Sequence, residues 1–287
     1  AQYRQYPYPA GLTMIGRDQY YRSKYDRGAD IISVHEDLDG DGTYETSKNV
    51  LEGLNMANSV VRGWGGLWVM HTPYLLFYCD ENGDDIPEGD PEVRLAGFGL
   101  EDTHSVANGL AWGPDGWLYG GQGSTTTSRI TRPGFDEPAI YNEGPIVWRY
   151  HPRTEEFEVF ADGGGNTFGL SFDAEGRLFS GHNGGNTRGF HFIQHGQYLK
   201  QGKNPGKFGP PPNPFAFGEL SMMASTNPVP RFSHLGICVD ATALPSRMQG
   251  KFLSLDPLHH SLIASNRTPS GSTFKTSDTG FPLRSKD

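Results

Sequence analysis

The stretch Glu101-Asp-Thr-His104-Ser-Val-Ala-Asn108-Gly-Leu-Ala-Trp112-Gly-Pro-Asp-Gly116-Trp-Leu-Tyr-Gly120-Gly-Gln-Gly123 decides the fold. Leu110 to Trp112 is one apolar run and Trp117 to Tyr119 another. Between them, Pro114 brings a preset φ to an early turn position and Gly116 tolerates the positive φ of a later one. The segment therefore reads as a β-hairpin. Asp102, His104 and Asn108 stand just ahead of its first strand, on the kind of loop where reactive side chains are usually carried.

The same grammar recurs in both directions. Asp30–Glu36 and Tyr44–Leu51 flank an acidic turn, Asp37-Leu-Asp-Gly-Asp-Gly42. Ser59–Trp64, Gly66–Met70, Tyr74–Cys79 and Glu92–Ala96 follow, with a second acidic turn at Asp80-Glu-Asn-Gly-Asp-Asp85. Beyond the central hairpin lie Gly144–Tyr150, Glu156–Phe160, Phe168–Asp173 and Arg177–Ser180. The last group is Leu235–Val239, Lys251–Leu255, His260–Ser265 and Ser272–Thr276. The second strand of successive units starts at Gly66, Gly116, Gly176 and Gly250, at intervals of 50, 60 and 74 residues. Imperfect repeats of about four strands, stretched by insertions, are the mark of a β-propeller.

The expectation is an all-β protein, a six-bladed β-propeller with four clear blades and two partial ones. Residues 1–29, rich in Tyr, Arg and Pro, read as an irregular segment. Residues 30–287 read as the propeller, with a loop insertion at 201–230 that carries Pro210-Pro211-Pro212. The count is uneven at both ends. Because an open ring leaves sheet edges unpaired, a longer chain or another polypeptide is expected to complete it.

Composition agrees. With 39 Gly, 21 Pro and 12% aromatic residues in 287, and no long stretch of 3.6-residue apolar period, helices should be few and short. The net charge of -9, without clustered Lys and Arg, argues against a nucleic-acid partner. No apolar run reaches the length of a membrane-spanning segment. Cys79 and Cys238 each lie within an apolar run, which suits buried thiols at least as well as a bridge.

Asp37, Asp39, Asp41 and Gly42 match the first half of a calcium loop, but its twelfth position is Lys48, so Glu45 or backbone carbonyls would have to finish the site. Asp80, Asn82 and Asp84 repeat the pattern. The alternative for both is a solvated acidic turn. Most histidines are scattered and none shows zinc spacing. His104 differs, because Asp102 and Asn108 flank it at the start of an inner strand. A general base needs an unprotonated imidazole and often a carboxylate to orient it. A buried structural histidine is the competing reading. Asn166, Gln122 and His182 with Asn183 occupy corresponding strand ends, as does His234 in the last unit. Polar groups from successive blades would thus converge on one channel, or merely line it with water.

Asp39-Gly-Asp-Gly42, Gly66-Leu-Trp-Val69, Tyr74-Leu-Leu-Phe77, Glu101-Asp-Thr-His104, Trp112-Gly-Pro-Asp-Gly-Trp-Leu-Tyr-Gly120, Phe168-Gly-Leu-Ser-Phe-Asp173 and Leu244-Pro-Ser-Arg-Met-Gln-Gly-Lys-Phe-Leu253 together resemble the family labelled membrane-bound dehydrogenases in planctomycetes and verrucomicrobia. That family in turn resembles the soluble quinoprotein glucose and sorbosone dehydrogenases, six-bladed propellers that hold pyrroloquinoline quinone (PQQ) with calcium. The resemblance implies His104 as the base and Asn166 as a cofactor contact; combined with the strand-end positions above, Asp102 would assist the base, and Gln122, His182 and Asn108 would lie near cofactor or substrate. It implies a sugar or alcohol substrate, a cytochrome or other protein subunit as partner, and a periplasmic or extracellular, membrane-associated location. Many members carry a C-terminal CxxCH haem segment, which is not found in this sequence. Where the quinoproteins have Arg ahead of the cofactor-contacting Asn, this chain has Gly165.

Two other functions follow from the same residues. One is a non-catalytic, calcium-stabilised propeller serving as a binding or scaffold subunit of an envelope assembly. The other is a lactonase-type hydrolase with Asn58, Asn108 and Asn166 around calcium, for which no acidic partner is visible in the inner strands.

Overall fold

The structure, a computed structural model, describes residues 28–182, 187–200, 219–226, 235–240 and 244–285. Asn183, His234, nearly all of the N-terminal segment and most of the 201–230 insertion lie outside the described residues. The chain divides into two compact units, Ala1–Glu101 with Ser128–Tyr141, and Asp102–Thr127 with Asn142–Asp287. Among the described residues the elements are strands and one 3-10 turn, Ser246–Met248. No described helix is long and apolar enough to cross a membrane.

In the first unit, β1 (Asp30–Glu36) pairs with β2 (Thr46–Leu54). An antiparallel meander follows, β3 (Ala57–Gly63), β4 (Gly66–His71), β5 (Tyr74–Cys79) and β6 (Glu92–Ala96). β4 and β5 read as nearly unbroken apolar runs because they are central strands buried on both faces. Leu67 and Val69 lie opposite Tyr78 and Leu76 and share a core with Leu54, while Ile32, Val50 and Leu51 pack against it from β1 and β2. Trp68 and Phe77 pair on the other face, their rings 4.7 Å apart.

The second unit opens with β7 (Asn108–Trp112) and β8 (Leu118–Gln122), the hairpin of the central stretch. Its turn closes as expected: Gly113 N donates to Trp117 O at 2.9 Å, and Gly116 has φ 83°. The chain leaves this unit for a two-stranded excursion, β9 (Thr127–Ile130) and β10 (Ile140–Glu143), most of which belongs to the first unit, before β11 (Ile146–Tyr150) and β12 (Phe157–Asp162) complete the sheet beside β8. β13 (Ser171–Phe172), β14 (Leu178–Ser180) and β15 (Phe190–Phe192) make the next sheet. β16 (Gly196–Gln197) then pairs in parallel with β12. β17 (Ala224–Thr226) joins the edge of a last meander, β18 (Gly236–Cys238), β19 (Lys251–Asp256), β20 (Ser261–Ser270) and β21 (Thr273–Arg284).

The strands begun by Gly66, Gly116, Gly176 and Gly250 are β4, β8, β14 and β19, the second strand of four separate sheets. The repeat read from sequence is therefore a repeat of sheet position. Within the second unit the sheets meet face to face. Tyr119, Val147 and Phe160 pack on Leu178, Phe190 and Phe192, while Phe179 on the far face of β14 packs on Phe252 and Phe274. The strands that the sequence reading missed, β9, β10, β15, β16 and β17, are short. β9 and β10 pair with each other and β15 with its neighbour β14, while β16 and β17 are held by β12 and β21, distant in sequence, rather than by their own patterning.

Candidate functional site

Asp102 organises the turn that leads into β7. Its Oδ1 accepts the His104 N–H at 2.9 Å, a local side-chain cap, and lies 3.1 Å from His104 Nδ1. Its Oδ2 accepts the Thr125 hydroxyl at 2.5 Å. Burial pushes the Asp102 carboxyl up, but the bonds from Thr125 and from the His104 N–H and ring, together with the imidazole charge, outweigh it. The group is held below the usual carboxylate range. An ionised carboxylate only accepts, so the shared proton sits on His104 Nδ1 and, in the neutral ring, Nε2 keeps its lone pair. The ring is 91% exposed, and Nε2 carries no bond among the described residues.

The loop after β8 clasps this turn. Gly123 N donates to Ser105 O at 2.9 Å, Thr126 Oγ1 donates to the same oxygen at 2.7 Å, and Ser105 Oγ lies 2.6 Å from Thr125 Oγ1. Asn166 adds a third segment, accepting from Ser124 N at 3.0 Å and donating to His104 O at 3.4 Å. A Cβ on Gly123 would overlap Asn166 Oδ1, so only glycine allows so close an approach.

Asp102, His104 and Asn166 thus come together. The other three residues of the expected set have different partners. Asn108 is buried, with its Nδ2 donating to Val106 O at 2.8 Å and Thr167 O at 3.0 Å and its Oδ1 accepting from Gly169 N at 3.1 Å. Gln122, also buried, donates to Thr126 O at 3.0 Å and Gly144 O at 2.9 Å, tying the two ends of the β9–β10 excursion. His182 is buried edge-on to Phe190, and a Cβ at position 165 would overlap its ring. Burial of Asn108 and Gln122 among backbone partners is what a hydrogen-bonded core requires.

PQQ carries three carboxylates, and anions of that kind are held by guanidinium or ammonium groups. The groups that hold the His104 turn are hydroxyls, amides and main chain. Position 165, where the resemblance implies arginine, is a glycine closed by His182. The described residues around the His104 turn do not fit PQQ bound in the manner of the quinoproteins.

The acidic turns lie in the first unit and differ from each other. One carboxylate oxygen from each of Asp37, Asp39, Asp41 and Glu45 falls within 4.8 Å of the others, an oxygen set suited to a hard divalent cation. Glu45 reaches the group because its Oε2 accepts from Leu38 N at 2.6 Å. In the second turn, Arg62 supplies the positive charge. Its guanidinium lies 3.2 Å from Asp80, which is buried, and 2.7 Å from Asp85, while Lys48 Nζ donates to Asp84 O at 2.7 Å. Of Asp80, Asn82 and Asp84, only Asp80 is paired with Arg62, while the side chains of Asn82 and Asp84 accept from the turn's own N–H groups, Asp84 N and Ile86 N, each at 2.8 Å.

Sequence reasoning passed over Thr125 and Arg62. The hydroxyl run Ser124-Thr-Thr-Thr127 directly after β8 was the available signal for the first. Arg62 is 18 residues from Asp80, and the pairing of β3 with β4 and of β4 with β5 carries it there.

A histidine tied to a carboxylate at the start of a meander strand, in a protein built of successive antiparallel sheets, defines an all-β protein with an exposed imidazole–carboxylate pair. The chain belongs to the DUF7133 family, described as a domain of unknown function, which matches residues 2–287. No curated protein matches it. A solved structure from Thermus thermophilus, described as an oxidoreductase (glucose dehydrogenase), is similar over 84% of this chain and 76% of its own, at 15% identity and a TM-score of 0.46. A likeness of that degree carries no argument about activity.

Proposed function

We propose that the sheets belong to one six-bladed β-propeller and that the protein is an extracytoplasmic oxidoreductase-type protein acting on the hydroxyl of a sugar or alcohol. In this reading Asp102 orients His104 and Nε2 accepts the hydroxyl proton. The contact between Asp102 Oδ1 and His104 Nδ1 carries the reading, because it leaves the solvent-facing nitrogen basic. Asn166 holds the base-bearing turn from the next segment. Oxidation of the carbinol also needs a two-electron acceptor. Among the described residues no cationic group is bonded to the His104 turn, so an acceptor of the quinone class supplied from solution, which takes the hydride as Nε2 takes the proton, fits better than a bound cofactor. The test is reduction of a soluble quinone or dye by the purified protein with a panel of sugars and alcohols, with and without added PQQ and calcium. Wild type should turn over, and His104→Ala should lose about a hundredfold or more. Absence of turnover with every acceptor would overturn the reading.

A second reading, a non-catalytic binding or scaffold protein stabilised by calcium, is favoured by the Asp37–Glu45 oxygen set and by the commitment of Asn108 and Gln122 to backbone. It calls for a calcium-dependent melting temperature and saturable sugar binding without turnover.

A further inference from the structure

The His104 turn is held by a directed chain of hydroxyls, and we infer that Thr125 is the positioning residue that sets the Asp102–His104 pair. This rests on the proton-accepting role of His104 proposed above. Thr125 has one hydroxyl hydrogen, and it points to Asp102 Oδ2. The 2.6 Å contact with Ser105 must then run the other way, with Ser105 Oγ–H donating to Thr125 Oγ1. Ser105 is in turn fixed, since its Oγ accepts the Thr125 N–H at 3.3 Å and its carbonyl accepts Gly123 N and Thr126 Oγ1. The polarity therefore runs Ser105 to Thr125 to Asp102, and the carboxylate at the end of the chain accepts from His104.

Thr125 does two things that no other group bonded to this carboxylate does. It occupies Oδ2, so that Oδ1 alone is left for the turn N–H and the imidazole. It also ties the carboxylate to the loop after β8, so the base is braced from two segments about twenty residues apart. The other groups facing Asp102 are the imidazole of His104, the one titratable partner, and neutral main chain. Without the Thr125 hydroxyl, Asp102 keeps only the Oδ1 bonds to the His104 turn, loses its tie to the loop after β8, and its hold on Nδ1–H loosens. The imidazole then samples a wider range of orientations, and its Nδ1–H tautomer is no longer fixed.

The decisive variants are Thr125→Val, which keeps the shape and removes the donor, and Thr125→Ser, which restores the donor. If Thr125 positions the pair, Thr125→Val lowers kcat by about tenfold with KM little changed and moves the acid limb of the pH–rate profile, and Thr125→Ser recovers most of the loss. The same variants are followed by 15N NMR of the His104 ring, which reads its tautomer and needs no substrate. The Nδ1–H tautomer should lose population in Thr125→Val and regain it in Thr125→Ser. If His104→Ala abolishes turnover while Thr125→Val matches wild type in both kcat and the His104 tautomer, Thr125 has no positioning role. If His104→Ala itself turns over normally, the base assignment fails instead, and the ring 15N spectrum alone decides whether Thr125 acts on the pair.

Discussion

Gly165 and His182 exclude one another's side chains: a Cβ at position 165 would fall on the His182 ring, although Gly165 is not among the glycines held at positive φ. The obstacle to a side chain there is thus the imidazole and not the backbone. Gly165→Ala should destabilise the protein by about 1–3 kcal/mol through overpacking. The double variant Gly165→Ala/His182→Ala should cost less than the sum of the two singles, a coupling of about 1 kcal/mol or more. Urea denaturation of the four proteins reads this directly. Additive losses would mean that the two positions do not compete for the same space.

Arg188 and Asp278 form a bidentate pair at 2.9 and 2.5 Å, with side chains 0% and 3% exposed. Ser265 donates to the same carboxylate at 2.8 Å. Removing one charge strands the other, so Arg188→Met or Asp278→Asn should each cost about 3–5 kcal/mol. An apolar double replacement, Arg188→Met with Asp278→Leu, should recover at least half of that loss. Thermal melts of the three variants are the measurement, and a double variant no better than the singles would contradict it.

Acid sensitivity should begin at His191. Its ring stacks on Phe179 at 5.0 Å and meets Phe274 edge-on at 5.2 Å, near Arg177, Arg267 and Asp173. Burial, then the Arg177 charge, push its pKa down, and Arg267 adds to that shift against the opposing pull of Asp173. A group with a lower pKa when folded binds fewer protons than in the unfolded chain. Its contribution is complete above about pH 6.5 and lost as pH falls through the folded value. Stability measured by denaturant titration should therefore decline below about pH 6.5, and His191→Asn should flatten that limb. Asp173 adds the same sign further down. Burial raises its pKa, but the bonds from Arg177 and the charges of Arg177 and Arg267 hold it below the usual range, so its share persists above about pH 3.9 and is lost beneath it. Identical slopes for wild type and His191→Asn near pH 6 would refute the assignment.

The two acidic turns should respond differently to calcium. If the Asp37, Asp39, Asp41 and Glu45 oxygens hold the ion, calcium at a hundred times its Kd adds about 2.7 kcal/mol, a rise of several degrees in Tm. Asp37→Asn and Glu45→Gln should abolish the shift. Asp84→Asn should leave it intact, because Asp84 lies outside that oxygen set and its carboxylate accepts from Ile86 N. A Tm unmoved by calcium or EGTA would reduce the first turn to solvated acids.

Strand identity was legible wherever patterning was local. Asp30–Glu36, Tyr74–Cys79 and Glu92–Ala96 have the bounds that the sequence implies, and the Gly66, Gly116, Gly176 and Gly250 strands hold equal rank in their sheets. β16 and β17, by contrast, have two and three residues and exist because β12 and β21 offer them an edge. The site divides in the same way. Asp102 and His104 are two residues apart, so a turn brings them together, and the sequence alone located that pair.

Alternating apolar residues and turn-forming Gly, Pro and Asp were enough, by themselves, to determine an all-β protein of repeated antiparallel sheets, because both signals act over a few residues. Which polar groups remained available was decided only by the tertiary structure. Asn108 and Gln122 became core braces, His182 closed the space over Gly165, and Arg62 filled the second acidic turn. A buried polar atom must find a partner, and where that partner lies depends on contacts between segments far apart along the chain.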